Sequence, residues 1–494
     1  MIRLRSGGSI RHVVSLPWAS ANAVVNGTSI QAGTAALRQR LARRQLAPGQ
    51  SVMLGVSPGP LHAAARWAVW QHGGVLVPVF ERSPRHQLSE QLQRTNAQLI
   101  IVDSRHRTLL ELANDACIGS INIDDLQDAG AAEPLRQAEI RLDDVAQLLF
   151  TSGTTGRPKI VCQTHGNIAA QIESISEAWS IDQHDHVLHC LPLHHIHGIV
   201  NALECPLWNG AQVTMLDRFQ AEAVWAALRS DSSLNVYMAV PAMYAKLIEA
   251  FDRMNSQQQA ECHEACRRFR LMISGSASLH ESILKKWEEI SGHVLLERYG
   301  MTETGMILSN PLNGHRKPGY VGKPMPGIQV KTDSGEKGDE LLVKGPGVLH
   351  SYLNDDSETR AAFDHDGYFR TGDIVSQDDD GDYRIVGRAK TDILKTAGFK
   401  VSCLEIEHTL LEHPDVADCA VVGLPNIVYG DIVAALVQMR DDSATSTSSL
   451  KAWLATRLPS YKLPRRIRLV AAVPKNAVGK NDKAAARSQL LSES

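Results

Sequence analysis

The stretch Thr151-Ser152-Gly153-Thr154-Thr155-Gly156-Arg157-Pro158-Lys159 holds the residue types that cradle phosphate. Gly153 and Gly156 let a backbone approach an anion closely, the hydroxyls of Ser152, Thr154 and Thr155 can donate to phosphate oxygens, and Lys159 adds a mobile positive charge. It is not the common P-loop, because Pro158 precedes the lysine and the spacing between the glycines is shorter. Further along, Tyr299-Gly300-Met301-Thr302-Glu303-Thr304 offers an aromatic face for a base, a hydroxyl for phosphate and a carboxylate for a divalent ion. Asp373, closing Thr371-Gly372-Asp373, is an acceptor able to take both ribose hydroxyls, and Arg388 is a fixed cation. A single Thr-Gly-Asp run is most often only a turn. Four such signals in this order point to a bound nucleotide.

Two clusters invite a metal reading. Cys262-His263 with Cys266 has helical spacing, but no second ligand pair follows at finger-like distance. The richer run His184, His186, His189, Cys190, His194, His195 and His197 is interleaved with Leu191-Pro192-Leu193 and Gly198, which favours a pocket wall over a structural zinc.

These residues need a scaffold. Ala146 to Phe150 reads as a short buried strand leading into the phosphate loop, and a helix is expected from Asn167, with Ile168, Ile172, Ile175 and Trp179 on its apolar face. Strands at Val52 to Leu54 and Val75 to Val79 alternate with helical stretches such as His62 to Gln71, which argues for an α/β domain with a largely parallel sheet. Strand-like runs at Gln212 to Leu216, Val236 to Val240, Leu271 to Ser274 and Val294 to Leu296 suggest a second α/β layer. After about Met306 short strands broken by glycines read as a small β subdomain. Ser443 to Ser449 is expected to be a polar loop. The fold class is therefore α/β, with a large N-terminal domain of stacked mixed or parallel sheets over residues 1–388 and a small α+β domain over 389–494. No internal repeat is evident.

The 494 residues can bury a large core, and a formal net charge of -3 gives no reason to expect nucleic acid or an anionic membrane as the main partner. No Asp or Glu precedes Glu81, so the Arg-rich start has the composition of a transit peptide. The Ala-rich helical pattern from about Ala35 to Leu46 favours instead a basic face on ordinary N-terminal elements. The eight cysteines lack the dense spacing of a disulfide scaffold, which suits a reducing compartment. No run is apolar enough for membrane insertion, so the expected location is cytoplasmic, or the mitochondrial matrix in a eukaryote.

TSGTTGRPK at 151 to 159, GSAS at 275 to 278, YGMTET at 299 to 304, the TGD ending at Asp373, Gly387-Arg388 and PKNAVGK ending at Lys480 together resemble the adenylate-forming superfamily of acyl-CoA synthetases, luciferases and peptide-synthetase adenylation domains. The likeness covers nearly the whole chain. It departs in an N-terminus shorter than in many relatives and in a segment after Arg388, AKTDILKTAGFK, that is longer by a residue than the commonest pattern.

The resemblance implies a reaction in which a carboxylate attacks the α-phosphate of ATP, pyrophosphate leaves, and a thiol displaces AMP from the acyl-adenylate. It implies that Lys480 bridges the substrate carboxylate and the α-phosphate. Glu303 would help hold Mg²⁺, and Thr302 with the loop from Thr151 to Lys159 would hold phosphates. Gly275-Ser276-Ala277 and Tyr299 would flank adenine, with Gly300 and Met301 completing the nucleotide wall. The small domain would swing about Lys390 between two poses, and Gly398 would line a channel for a pantetheine arm. Coenzyme A is the simplest thiol, with a carrier-protein pantetheine as the other possibility.

Glu297-Arg298-Tyr299-Gly300, Leu191 to Gly198 and Pro318 to Pro324 resemble the malonyl-CoA synthetase branch, in which the arginine pairs with the distal carboxylate of malonate or methylmalonate. Arg298 would therefore select the acid, with His195 as pocket wall; the alternative is that Arg298 salt-bridges a neighbouring acid and His195 only packs. The competing functions are a stand-alone enzyme adenylating another carboxylic acid, which could load a carrier protein, and a non-catalytic nucleotide-binding protein. Amino-acid activation is disfavoured because Val236 to Pro241 lacks the aspartate that holds an ammonium group in such relatives.

Overall fold

The computed structural model describes residues 24–25, 28–80, 83–128, 138–151, 158–396, 399–440, 443–476 and 480–492. Two seven-stranded sheets form the large part. The first runs in the order Ser351–Tyr352, Ile160–Thr164, Val145–Phe150, Val75–Pro78, Ser51–Gly55, Leu99–Val102, Gly119–Asn122. Its last five strands are parallel, while Ile160–Thr164 pairs antiparallel on both sides. The second sheet has a parallel core of Gln212–Met215, His186–His189, Val236–Ala239, Leu271–Gly275 and Leu296–Met301, extended antiparallel by Gly305–Ser309 and Lys323–Pro324.

Helix His165–Trp179 belongs to a hydrophobic cluster shared by both sheets. Its start is fixed by a reciprocal cap: the Thr164 hydroxyl accepts from the Asn167 N–H, and the Asn167 side chain accepts from the Thr164 N–H. Such a cap stabilises by about 1 kcal/mol. Ile168, Ile172, Ile175 and Trp179 are completely buried, as the period of four and three residues requires. The far face of the second sheet is covered by Ala221–Ser230, Pro241–Asp252, Ser256–Arg267 and Glu281–Ser291, around Trp225, Tyr244 and Trp287.

A four-stranded antiparallel sheet of Gln329–Gly335, Gly338–Lys344, Phe369–Gln377 and Tyr383–Arg388 forms the β subdomain. Beyond it, a five-stranded sheet spanning 393–470 packs helices Cys403–Leu411, Thr447–Ala455 and Lys483–Leu491. Two expectations need correction. The strand expected to end at Leu296 begins there and runs to Met301, because its edges pair with Leu271–Gly275 and Gly305–Ser309. The loop expected through Ser449 is helical from Thr447, because the Ser446 side chain accepts from the Ser449 N–H and caps the helix. No helix among the described residues is long and apolar enough to cross a membrane.

Candidate active site

The chemistry-bearing segments gather at the C-terminal ends of the second sheet's parallel strands, where open α/β sheets bind ligands. His194 to His197 follow His186–His189, Ser276 follows Leu271–Gly275, and Arg298 lies within Leu296–Met301. Gly275 and Arg298 are register partners, and the guanidinium lies over the glycine. A Cβ at Gly275 would stand 2.6 Å from Arg298 Cζ and Nε, so only a residue without a side chain leaves room for that placement. Gly275→Ala should displace the guanidinium and raise the KM for the acid by about tenfold or more, and by more than the KM for ATP. Equal shifts in both constants would mean that Gly275 serves the nucleotide as much as the acid.

Arg298 is buried, and among the described residues its one side-chain hydrogen bond is from Nη2 to Ser276 Oγ at 3.4 Å. Its Nε is buried without a hydrogen-bond partner, and it forms no ion pair among the described residues. Burial pushes its pKa down to about 9, which expresses the cost of an unpaired buried cation. The neighbouring Glu297 faces the other side of the strand and accepts from the Gly319 N–H at 3.0 Å. Among the described residues no acid pairs with Arg298 as the alternative reading required.

Burial raises the Glu297 pKa to about 8, against the weaker opposing effect of the Gly319 bond. Below the unfolded value near 4.5 both states are protonated; as pH rises toward 8 the unfolded chain ionises first and stability is lost. Glu297→Gln keeps the shape without the titration. It should raise stability at neutral pH by about 2 kcal/mol, an advantage that disappears near pH 4.5. Urea unfolding at the two pH values checks this; a gain that is unchanged or larger at the lower pH would contradict it.

Two histidines line the space beside Arg298. His195 is held neutral, its pKa lowered to about 4 by burial and then by the Lys480 charge. His197, buried and facing Ser276 Oγ through Nδ1 at 3.3 Å, is also neutral, through burial and then Arg298. The Nε2 atoms of both are buried without a hydrogen-bond partner among the described residues. The sequence placed both in a histidine-rich pocket wall and singled out only His195 as a substrate neighbour, although His197 stands two residues on in the same run. His186, by contrast, is tied to Ser233 and Thr214, and His189 to the Gly198 carbonyl. That dispersal of partners explains why the run makes no metal group among the described residues.

On the nucleotide side, strand pairing places Asp373 opposite Arg388. Arg388 Nε forms an ion pair with Asp373 Oδ1 at 2.9 Å, and the Tyr299 hydroxyl donates to Oδ2. Each carboxylate oxygen keeps a further acceptor site. Thr302 and Glu303 lie in the tight turn between Leu296–Met301 and Gly305–Ser309. Gly305, at φ +69°, completes that turn, as short hairpins commonly require. Glu303 is buried, its pKa raised by burial, and it accepts from the Tyr352 hydroxyl at 3.3 Å. It forms no ion pair among the described residues, which fits a carboxylate that meets a cation from outside the chain.

The base of the phosphate loop is a hairpin neck, where the Thr151 N–H donates to the Lys159 carbonyl at 2.9 Å. Lys159 pairs with Glu358, and its ammonium lies 4.7 Å from the centre of the Tyr352 ring. Tyr352 and Glu358 had no local sequence signal. Ser152, Gly153, Thr154, Thr155 and Gly156 lie outside the described residues, as does Gly398.

Lys480 comes from the far end of the chain. Its backbone is held by a reciprocal pair with Asn476: the Lys480 N–H donates to Asn476 Oδ1 at 3.0 Å, and the Asn476 N–H to the Lys480 carbonyl at 2.8 Å. The residue as a whole is exposed, while its ammonium is partly desolvated. Its pKa is lowered by desolvation and by Arg388 and Arg298, while Asp373 acts in the opposite sense. Lys480 thus stands within electrostatic reach of both the Arg298 pocket and the Asp373–Arg388 pair. The Gly275 to Ala277 turn, with Ser276 at φ +70°, lies alongside. Lys390 does not join this group; it is exposed in the turn between Tyr383–Arg388 and Ile393–Thr396.

The mitochondrial malonate–CoA ligase of Bos taurus is 40% identical over 459 residues, covering 85% of this chain and 78% of the relative. ATP-bound MatB from Rhodopseudomonas palustris superposes with a TM-score of 0.87 at 28% identity, covering 96% of this chain and 98% of that one. A malonyl-CoA ligase in a ternary product complex with methylmalonyl-CoA and AMP superposes at 0.66, with 30% identity and coverage of 94% and 98%. The model of the AMP-binding enzyme matches residues 30–353 and that of the AMP-binding enzyme C-terminal domain residues 405–480, and the chain belongs to the AMP-binding enzyme family.

Proposed function

We propose that this chain is an ATP-dependent acid–thiol ligase that activates malonate, or its methyl derivative, as an acyl-adenylate and passes it to coenzyme A. The observation that carries the substrate is Arg298, a buried guanidinium without a carboxylate partner among the described residues, within electrostatic reach of Lys480. A dicarboxylate would supply the missing partner through two parallel charge-assisted bonds. A simple fatty acid would leave the cation buried and unpaired. The names of the relatives favour the same acid.

In this reading Arg298 anchors the distal carboxylate and the neutral His195 and His197 wall the pocket without adding charge. The reacting carboxylate then points toward Lys480, whose ammonium offsets repulsion between two anions as the new bond forms at the α-phosphate. Asp373, steadied by Arg388 and Tyr299, accepts from the ribose hydroxyls. Tyr299 and the Gly275 to Ala277 turn flank adenine, with Gly300 and Met301 beside them. Thr302, Lys159 and the loop from Ser152 to Gly156 hold the departing phosphates. Glu303 would hold Mg²⁺, which when bound offsets phosphate charge.

Lys480 serves the first half-reaction only. The higher similarity to an ATP-bound relative than to a product complex suits a molecule poised for adenylation. Rotation of residues 389–494 about Lys390 would withdraw Lys480 and bring Gly398 to the thiol channel. The compartment is proposed to be the cytoplasm, or the mitochondrial matrix if the source is eukaryotic.

The test is substrate-dependent ATP–pyrophosphate exchange with malonate, methylmalonate, succinate, acetate, a medium-chain acid and an aryl acid, followed by thioester formation with coenzyme A. Malonate or methylmalonate should support the fastest exchange. Strong exchange with monocarboxylates and none with malonate would overturn the substrate assignment.

A further inference from the structure

A continuous line of buried side-chain hydrogen bonds crosses the core from the histidine-bearing segment to the ATP turn. Arg66, on helix Pro60–Gln71, donates from Nε to Glu204 Oε1 at 2.7 Å and from Nη2 to Gln147 Oε1 at 3.0 Å. Gln147 Nε2 donates to Gln163 Oε1 at 2.7 Å, and Gln163 Nε2 donates to the Thr302 carbonyl at 3.0 Å. Glu204 is completed by the Trp67 indole, which donates to Oε2 at 3.0 Å. Arg66, Gln147 and Gln163 are wholly buried and Glu204 nearly so.

The direction of this line is forced. A guanidinium can only donate, so Gln147 must turn its oxygen toward Arg66 and its nitrogen toward Gln163. A backbone carbonyl can only accept, so Gln163 must turn its nitrogen toward Thr302. Reversing either amide would set donor against donor or acceptor against acceptor. The charge on Arg66 therefore fixes the orientation of both amides and polarises the bonds that follow.

The elements joined are those that carry the chemistry. Glu204 ends the π-helix His197–Glu204, whose first residue walls the acid pocket. Gln147 and Gln163 are register partners on the two strands that flank the phosphate loop. The Thr302 carbonyl shares a rigid peptide plane with the Glu303 N–H, so holding one fixes the other. Apolar side chains of similar volume could fill this core without the penalty of burying polar groups. The polar line adds directional constraint.

We propose that Gln147 and Gln163 are positioning residues for adenylation, setting the Thr302–Glu303 peptide through an amide relay oriented by the Arg66–Glu204 pair. This rests on the reading of Thr302 and Glu303 as the phosphate and metal end of the site. The relay acts on ATP and on the chemical step and leaves the acid pocket alone.

The test uses Gln163→Met, which keeps length and volume but removes both bonds, and Gln163→Glu, which can still accept from Gln147 but sets an acceptor against the Thr302 carbonyl. Magnesium-dependent ATP affinity is measured by calorimetry, and kcat and both KM values by pyrophosphate exchange. Gln163→Met should weaken ATP binding and lower kcat by about tenfold, the scale of one lost hydrogen bond, with the malonate KM within about twofold of wild type. Gln163→Glu should lose more. If neither variant folds, Gln147→Glu, which keeps an acceptor for Arg66 but no donor for Gln163, should show the same direction. ATP affinity and kcat equal to wild type in folded variants with a lowered unfolding midpoint would make the relay purely structural and overturn the proposal. Calorimetry with ATP needs no acid, so a wild type that binds ATP without malonate-dependent exchange would refute the substrate assignment and leave the relay to be judged on ATP affinity.

Discussion

Lys480→Ala is expected to lower malonate-dependent pyrophosphate exchange by about 10²- to 10³-fold, the range for removing one preorganised group from a developing charge. The same variant should convert supplied malonyl-adenylate and coenzyme A to thioester at close to the wild-type rate. The asymmetry follows from placement. Lys480 lies near Arg298, Asp373 and Arg388 at once, so its ammonium can reach the junction where carboxylate and α-phosphate meet. It is carried there on a C-terminal segment in which its backbone pairs reciprocally with Asn476. Withdrawing that segment removes the lysine without disturbing Arg298 or the Asp373–Arg388 pair. Equal loss in both half-reactions would refute the two-pose account.

Arg298→Ala should raise the malonate KM by roughly two to three orders of magnitude, in keeping with about 2 to 5 kcal/mol for stranding one partner of a buried charge pair. The ATP affinity should change little, since Arg298 stands on the acid side of Lys480. Arg298→Lys should recover only part of the loss, because an ammonium cannot reproduce the bidentate fork. Relative exchange with acetate should rise in Arg298→Ala, since the buried cation that penalises a monocarboxylate is gone. These constants come from exchange assays on folded variants across malonate and acetate concentrations. An unchanged malonate KM would assign Arg298 to packing over Gly275 alone.

Much of the site was readable from short motifs because backbone chemistry is local. The phosphate loop announces itself by glycines and hydroxyls, and its hairpin neck from Thr151 to Lys159 agrees with a strand on each side. The helix at 165–179 was visible through its apolar period, although its start lies two residues before Asn167 because the cap is Thr164. The strand expected to end at Leu296 runs on through Tyr299 to Met301, because edge pairing carries it past the glycine and polar residues that break the apolar run. Ser446 was read as loop because serine favours turns, and the same side chain caps a helix once Leu450 and Leu454 have a core to enter.

The sequence by itself determined the family of chemistry: a phosphate cradle, a nucleotide turn, a ribose acceptor and a terminal lysine, each made of residues close together in the chain. Tertiary structure alone decided which of these meet and in what electrical state. Asp373 and Arg388 become a pair through antiparallel register, and Tyr299 joins them from another sheet. Whether Arg298 has an acid beside it depends on every segment that folds around it, and no local pattern carries that information. The amide relay from Arg66 to Thr302 is likewise invisible in sequence, because its members come from four separate segments. Local motifs record what backbone and side chain can do within a few residues; pairing, burial and the neutral state of His195 arise only when distant segments exclude water together.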